Sequence, residues 1–304
     1  PNGSSFTTNF TNNNIELKMI GGIPHVKLPK IGNIRFILPK GKTLTDIQPH
    51  GVSIKAATVS KESDGSYRIS LRMESVIDKP VFPTFINSSE IVSVDLGLKD
   101  FGVFGNLKET NTVPNPRWIQ VHARRLRRFQ KSLSRKQYDK KTHTGSRNWE
   151  KARLKVAKEQ RKIADQRRDF HHKLSRAITD NCVAFICEDL AVKNMMKNRH
   201  LSKSIASVGW YQFLKMVQYK MECAGKYFRK ISRWYPSSQT CGCCGYKNTD
   251  VKDLSVRKWK CPKCGAWHDR DVNAQQNIYK IGAKMLQDEG IQVIGLPATN
   301  KSVN

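Results

Sequence analysis

Four cysteines in the last quarter of the chain have the spacing of a metal-binding site. Cys241 and Cys244 form one C-x-x-C pair, and Cys261 and Cys264 form a second pair after sixteen intervening residues. Each pair makes a tight turn that directs two sulfur atoms at one point, and four thiolates complete the tetrahedral coordination of zinc. Such a site leaves no position open for a substrate, so we expect one structural Zn²⁺. Two disulfides are the alternative use of these cysteines, and Cys243 is an extra thiol that could replace a neighbour.

Three acidic residues stand at the ends of predicted elements. Asp95 closes the apolar run IVSVD, Glu188 follows the apolar run VAFIC, and Asp271 begins a predicted helix after the cysteine cluster. Hydrolysis of a phosphodiester bond by two divalent ions needs carboxylates from separate elements that hold the ions about 3.5–4 Å apart. Mg²⁺ prefers such oxygen ligands. The two strand-end acids would lie at one sheet edge if their strands are neighbours, which the sequence alone leaves open.

Each of these acids also has a simpler interpretation. An acid after an apolar run is often the first solvated residue of a loop, and Glu188 is followed directly by a second acid, Asp189. Asp271 could be no more than the N-cap of its helix, and Asp269 lies only two residues before it. The residue types therefore indicate three candidate acids but do not show that the three belong to one site.

Three segments of the chain resemble, in order, the three motifs of the RuvC-like nuclease of the TnpB family. They are VDLGLKDFGVF (94–104), ICEDLAVKNM (186–195), and the cysteine cluster with the string DRDVNAQQNI (269–278) that follows it. Proteins of this family are transposon-encoded, RNA-guided DNA endonucleases related to type V CRISPR effectors. The resemblance extends from about residue 90 to 285, and the segment 15–80 resembles the family's wedge domain.

The resemblance implies an α/β fold: an RNase H-like RuvC nuclease with inserted basic helices and a zinc ribbon, preceded by a small β-rich, wedge-like domain. It assigns Asp95, Glu188 and Asp271 as catalytic acids that hold two Mg²⁺ (or Mn²⁺) ions, and it favours Asp271 over Asp269 as the third acid. It also implies a guide RNA as cofactor and target DNA as partner. The family's first wedge strand and helical recognition domain are missing here, so we expect the chain to be part of a longer product. Gln275 stands where the family usually has alanine.

The charge of the chain independently predicts a polyanionic partner. The sequence contains 54 lysines and arginines against 25 acidic residues, a formal net charge of +29. Such an excess is unusual for a metabolic enzyme, and nucleic acid is the default partner. The oligomeric state does not follow from these features.

Residues 117–176 carry 21 of the basic and 5 of the acidic residues, in two predicted helices separated near Thr144-Gly145. A solvated charged face is the alternative interpretation, but a net +16 on two helices repels itself without a counter-ion. In the family, equivalent helices contact the guide–target heteroduplex or the RNA scaffold. The side chains expected to bind phosphates are Arg124, Arg125, Arg127, Arg128, Lys131, Arg135, Lys136, Arg167 and Arg168.

Aromatic residues around the cysteine cluster offer a second mode of nucleic-acid binding. Trp234, Tyr235, Trp259 and Trp267 could stack on unpaired bases. The alternative, for at least two of them, is the core of a small domain.

Hydrophobic periodicity divides the chain into domains. Short alternating runs from 15 to 77, with a hairpin signal at Asp64-Gly65, predict a β-rich region. Buried strands are predicted at 91–95, 101–104 and 183–187, a further strand at 227–232, and helices at 210–221 and 272–286. The predicted domains are the wedge-like domain with its linker (1–89), the first part of the nuclease (90–233) with the basic insertion 117–180, the zinc ribbon (234–268), the last part of the nuclease (269–290) and a tail (291–304).

The predicted function is RNA-guided, divalent-metal-dependent hydrolysis of DNA phosphodiester bonds by a transposon-encoded endonuclease. Cysteines outside the cluster are isolated, which favours a reducing compartment, and no apolar run reaches the length of a membrane span; we expect a cytoplasmic, nucleoid-associated protein of a prokaryote. The alternatives are a nuclease-inactive RNA-guided regulator, a zinc-ribbon transcription or RNA-binding factor, and a strand-transferring transposase. The presence of all three acids argues against the first two.

Overall fold

The computed structural model describes residues 5–9, 14–76, 78–253 and 255–296. The chain forms two compact units. The first unit falls within residues 1–79 and 124–162, and the second falls within 80–123 and 163–304. Two long helices therefore each contribute residues to both units.

The first unit begins with antiparallel β-structure. Its elements in this region are β1 (Ser5–Asn9), β2 (Glu16–Ile20), β3 (Ile23–Leu28), β4 (Gly32–Arg35), α1 (Leu44–Ile47), β5 (Val52–Lys61) and β6 (Tyr67–Ser75). They form two three-stranded sheets, β1-β5-β6 and β2-β3-β4. The predicted hairpin is confirmed: β5 and β6 pair on either side of Asp64-Gly65, where Gly65 adopts φ +84°, a conformation that only glycine reaches without steric cost.

The next elements lead from the second unit into the two long helices and back. They are β7 (Phe85–Asn87), β8 (Ile91–Leu96), β9 (Asp100–Gly105), β10 (Thr110–Pro114), α2 (Trp118–Ser134), β11 (Tyr138–Asp139), β12 (Thr144–Gly145) and α3 (Arg147–Asn181). The two predicted basic helices are confirmed as α2 and α3. The break predicted at Thr144-Gly145 is a minimal hairpin between β11 and β12.

Ion pairs hold the middle of α3 in the first unit. Arg125 of α2 lies 3.2 Å from the carboxylate of Glu159 on α3, whose side chain is only 2% exposed. Arg161 of α3 donates to Asp64 at 2.8 Å, and Arg153 donates to the carbonyl oxygen of Ser63 at 2.8 Å. Part of the positive charge of these helices is therefore used within the fold.

The remaining elements complete the second unit. They are β13 (Ala184–Glu188), α4 (Val192–Met195), α5 (Ser202–Val208), α6 (Trp210–Cys223), β14 (Tyr227–Ile231), β15 (Lys258–Lys260), β16 (Trp267–Asp269), α7 (Arg270–Asp288) and β17 (Gln292–Ile294). The main sheet has the strand order β10-β9-β8-β13-β14. The strands β8, β9 and β10 are antiparallel neighbours, whereas β13 runs parallel to both β8 and β14.

Helices cover both faces of this sheet. On one face, the end of α3 and the apolar side of α6 pack on Val94, Phe101 and Phe185. On the other face, α7 packs on Ile91, Ile186 and their neighbours. A Cβ at Gly282 of α7 would lie 2.3 Å from Cγ2 of Ile186, so a glycine is needed for this close approach of helix and strand.

Gln275, the departure from the family pattern, is fully buried between α7 and the sheet. Its side-chain amide nitrogen donates to the Ser93 hydroxyl and to the carbonyl oxygen of Gly105, each at 2.8 Å, and Ser93 donates to the main-chain carbonyl oxygen of Gln275 at 2.8 Å. The amide nitrogen is therefore satisfied by β8 and β9, whereas the buried Oε1 has no hydrogen-bond partner among the described residues.

Several elements differ from the sequence prediction. Helix α7 begins at Arg270 with Asp269 as its N-cap, so the prediction that Asp271 is the cap was wrong. The edge strand β10, the short helices α4 and α5, and the pairing of β17 with β7 were not predicted, because these short segments lack a strong apolar period. No helix in the described part of the chain is long and apolar enough to cross a membrane.

Candidate functional site and metal centre

The strand ends of β8 and β13 form one edge of the main sheet. These strands are parallel neighbours, and Val94 lies in register with Cys187. Asp95 and Glu188 each follow by one residue, so both carboxylates leave the sheet at the same edge. The parallel pairing of β8 with β13 therefore places the two acids side by side, which the sequence alone left open.

A cavity of about 310 Å³ opens at this edge and receives the third acid. Asp271 reaches it from the first turn of α7. Asp95, Glu188 and Asp271 line the cavity together with Ser237, Arg257 and Arg270, among others. Carboxylates from two strands and one helix therefore face a single space.

The two rival acids have other contacts. Asp269 accepts hydrogen bonds from the backbone nitrogens of Asp271 (3.1 Å) and Val272 (3.2 Å), as an N-cap does. Asp189 pairs with Arg233 and lies 3.8 Å from Nζ of Lys230. Neither rival lines the cavity.

The cavity holds negative charge in a poorly solvated place. Burial, followed by the nearby charges of Glu188 and Asp271, raises the pKa of Asp95 well above its usual range. Burial also raises the pKa of Glu188, against a hydrogen bond of 2.6 Å that Ser237 donates to its Oε1. Half-buried carboxylates that repel one another and offer hard oxygen donors to one space suit a divalent cation such as Mg²⁺. The residues present therefore fit that ion.

The raised pKa of Asp95 has a consequence for stability. Because the fold favours the protonated acid, ionisation of Asp95 lowers the free energy of unfolding. This loss is absent below the ordinary carboxylate pKa of about 3.9 and grows as the pH rises towards the folded-state pKa. In Mg²⁺-free buffer at pH 8, Asp95→Asn is therefore expected to melt at a higher temperature than the parent. Each kcal/mol recovered corresponds to about 2–4 °C in a chain of this size. The gain should shrink as the pH is lowered towards 5, and Mg²⁺ should stabilise the parent only.

Asp269→Asn is the matched control for this measurement. It removes one negative charge two residues from Asp271, while asparagine caps a helix as well as aspartate does. Its melting temperature should stay close to that of the parent at both pH values. A destabilised Asp95→Asn at pH 8 would contradict the assignment of electrostatic strain to Asp95.

Two arginines in the cavity were not singled out from the sequence. Arg257 Nη1 lies 3.4 Å from Oδ2 of Asp271, and the backbone nitrogen of Arg270 donates to the Arg257 carbonyl at 2.8 Å. Both positive charges oppose the rise in the pKa of Asp95. Arg270 stands inside the DRDVNA string, whereas Arg257 lies among other basic residues with no signal of its own.

The four predicted cysteines form one cluster. The Sγ atoms of Cys241, Cys244, Cys261 and Cys264 all lie within 4.8 Å of one another, and two of the separations are 3.6 Å. A disulfide requires about 2.05 Å, whereas the edge of a ZnS₄ tetrahedron with bonds of about 2.3 Å is about 3.8 Å. The cluster therefore has the size of a tetrahedral metal site and is not a pair of disulfides.

A histidine and a fifth cysteine adjoin this cluster. His268 Nε2 lies 3.1 Å from Sγ of Cys241, and Cys241, Cys243 and His268 form a second group of donor atoms within 4.8 Å. Cys243 is exposed, whereas Cys241 and Cys261 are buried. The preference for Cys241 over Cys243 as a metal ligand rests on the four-sulfur geometry. His268 was not predicted as a ligand from the sequence, although it directly precedes the DRDVNA string.

Buried asparagines of α7 connect the cysteine turn to the carboxylate cavity. Asn273 accepts from the Gly242 nitrogen at 2.9 Å and donates to the Thr240 carbonyl at 2.8 Å. Asn277 donates to the carbonyl oxygens of Thr240 (2.7 Å) and Ser237 (2.8 Å). We call these contacts the asparagine clamp. It joins the cysteine cluster both to Ser237, which donates a hydrogen bond to Glu188, and to the helix that carries Asp271.

The basic residues expected to bind nucleic acid differ in their contacts. Arg167 is half-buried and donates to the carbonyl oxygens of Ala206 (3.1 Å) and Ser207 (3.3 Å), so its guanidinium helps to pack α3 against α5. Arg168 lies 3.7 Å from Asp165. The exposed members on α2 and just after it are Arg124, Arg125, Arg127, Arg128, Lys131, Arg135 and Lys136.

Two protein families match successive parts of this chain. Residues 73–199 match the family described as "Probable transposase", and residues 210–278 match the family described as "Cas12f1-like, TNB domain". The matched ranges contain all three acids and all four clustered cysteines. The two family matches thus cover the cavity and the metal centre.

Curated relatives are similar over most of the chain. A protein of Streptomyces pristinaespiralis, named as an RNA-guided DNA endonuclease, is 36% identical over 234 residues, which are 77% of this chain and 54% of the relative. InsQ of Escherichia coli K12, with the same descriptive name, is 30% identical over 275 residues, 85% of this chain and 62% of the relative. The TnpB-like protein L79 of Acanthamoeba polyphaga mimivirus is 25% identical over 200 residues, 63% of this chain and 37% of the relative. The chain therefore spans about half the length of the curated relatives it matches.

Proposed function

This chain belongs to the TnpB family, and from that premise we propose that it is the nuclease part of an RNA-guided DNA endonuclease. It hydrolyses DNA phosphodiester bonds at the cavity of Asp95, Glu188 and Asp271. The observation that carries this proposal is the meeting of three carboxylates from β8, β13 and α7 in one cavity, beside two arginines.

The arrangement of the second unit supports an RNase H-like assignment for the nuclease. Its sheet has three antiparallel strands followed by two parallel ones, with helices on both faces. On this assignment residues 90–233 and 269–290 form the RuvC-like nuclease, 234–268 the zinc ribbon, and 1–89 the wedge-like domain and its linker. The basic insertion is 117–180, and 291–304 is the tail.

The side chains of the cavity have different roles at the scissile phosphate. Bound divalent ions would supply the positive charge that activates an attacking water and stabilises the leaving oxygen. Asp95 and Glu188 would hold the ions from the sheet edge, and Ser237 donates the hydrogen bond that orients Glu188. Asp271 completes the set from α7. Arg257, next to Asp271, is placed to contact the negative phosphate in the transition state.

Nucleic-acid partners follow from the charge distribution. A formal charge of +29 and the exposed arginines and lysines on and after α2 provide many phosphate contacts. Phosphate contacts give affinity without sequence preference, and sequence recognition by guide pairing complements such a surface. The partners we propose are therefore a guide RNA and a target DNA, with one structural Zn²⁺ and two Mg²⁺ or Mn²⁺ ions as metal cofactors.

The decisive experiment uses the full-length protein that contains this chain, purified with RNA co-expressed from its own locus. A defined structured RNA is expected to co-purify, and the complex is expected to cut DNA complementary to the guide segment in Mg²⁺. RNase treatment should abolish cutting. An RNA-free protein that cuts one duplex sequence equally well would refute the guided mechanism, and RNA-loaded protein that binds its target without cutting would indicate the regulator instead.

A further inference from the structure

A second cavity, of about 480 Å³, lies beside the carboxylate cavity. The two share Glu188, Ser237 and Ser238 in their walls, so they are immediate neighbours. We call this second cavity the flanking groove. Its other lining residues are Arg233, Trp234, Tyr235, Pro236, Gln239, Lys247, Thr249 and Lys252.

The wall of the flanking groove combines an aromatic surface with cations. The side chain of Trp234 is 86% exposed, although indole is among the most apolar of side chains. A single exposed apolar residue is common on protein surfaces. Here, however, the indole shares one groove with Lys247 and Lys252. This pairing of a flat aromatic with positive charge is the composition of single-strand binding sites.

The cations of the groove stand on ordered backbone of the ribbon. Lys247 bridges to Thr240 in an isolated antiparallel pair, and the nitrogen of Asn248 donates to the Gln239 carbonyl at 2.9 Å. Lys252 ends a short 3₁₀ helix, Thr249–Lys252, which Asn248 caps by accepting from the Asp250 nitrogen at 3.1 Å. The lysines therefore start from fixed positions at the side of the catalytic cavity.

We propose that the flanking groove binds an unpaired nucleotide of the DNA strand next to the bond that is cut, with its base stacked on Trp234 and its backbone phosphates near Lys247 and Lys252. The proposal rests on the proposed function, because the strand is identified by its entry into the carboxylate cavity through the shared Glu188. A base inside a duplex is already stacked on its neighbours, so only an unpaired base can use the indole.

The test compares single-turnover cleavage by the RNA-loaded, full-length protein on pre-bound target. Trp234→Ala is expected to lower the rate constant about 5- to 150-fold, the range that corresponds to ~1–3 kcal/mol of stacking per base. Trp234→Phe, which keeps an aromatic face, should retain most of the rate. Trp267→Ala is the matched control, since Trp267 is also 72% exposed on the ribbon but lines neither cavity.

A second measurement separates stacking from a structural effect. Abasic nucleotides are placed one at a time around the cut site. The parent should slow at one or two positions, whereas Trp234→Ala should be insensitive at those same positions, because the two changes remove the same contact. A purely structural defect would leave the abasic effect intact and would overturn the proposal.

The outcomes also distinguish this proposal from the proposed function. If the RNA-loaded protein cuts its target and Trp234→Ala cuts as fast as Trp267→Ala, the flanking groove does not bind the strand, while the nuclease assignment stands. If the parent complex cuts no DNA, the proposed function fails, and this inference fails with it.

Discussion

Replacing any one of Asp95, Glu188 or Asp271 by alanine is expected to reduce DNA cleavage in Mg²⁺ below detection, with binding of guide RNA and target DNA nearly unchanged. Each carboxylate faces the same cavity, so loss of one disturbs ions on which both the attacking water and the leaving oxygen depend. Because the three act as a unit, double substitutions should be no worse than single ones. Cleavage is measured with RNA-loaded protein on a matched target, and binding is measured by gel shift.

The control for Asp271 lies two residues before it. Asp269→Ala should cost stability, about 0.5–2 kcal/mol for a lost N-cap, and should leave the rate of cleavage largely intact. Asp269→Asn should restore the cap and with it the stability. An essential Asp269 beside a dispensable Asp271 would contradict the assignment of the third acid.

Loss of the ribbon metal is expected to abolish cleavage although no catalytic carboxylate is changed. Protein purified without chelators should contain about one zinc per chain, and Cys261→Ser should lose it, because structural zinc contributes its binding free energy directly to folding. The asparagine clamp joins the cysteine turn to Ser237 and to α7, so disorder of the ribbon reaches Glu188 and Asp271. Zinc is measured by elemental analysis, and cleavage by the single-turnover assay.

Two other cysteines serve as controls for this experiment. Cys223→Ser removes an exposed thiol at the end of α6 and should change neither zinc content nor cleavage. Cys243→Ser should also retain zinc if Cys241 is the ligand, as the four-sulfur geometry indicates. Zinc-free parent protein with a full cleavage rate would refute the link between the ribbon and the active site.

Local sequence patterns predicted those parts of the molecule that have a strong period or a fixed spacing. The apolar runs before Asp95 and Glu188 are strands, and the C-x-x-C pairs converge. The nearness of the two acids depends on the parallel pairing of β8 with β13, a contact between segments far apart in sequence. No local pattern records such a pairing, and only the family resemblance suggested it.

Errors and omissions occurred where one residue type serves several purposes. Asp269 and Asp271 are both suitable helix caps, and only the backbone path decides which of them caps α7. Arg257 is one basic residue among 54, and its role depends on where the ribbon turns back towards the cavity. Asn273 and Asn277 lie four residues apart on α7 and look like surface polar residues in the sequence. Their burial follows from the ribbon that packs on them.

The position of α7 has a consequence for the order in which the three acids come together during synthesis. This helix packs on one face of the main sheet and also carries the third carboxylate, and it follows the ribbon in the chain. A ribosome synthesises about 5–20 residues per second, so Asp95 and Glu188 exist for many seconds before α7 emerges. During that time the growing polypeptide has a bare sheet face and an incomplete set of acids. On the proposed function, the set of three acids is complete only once α7 has docked, so we expect the nascent chain to be inactive until then.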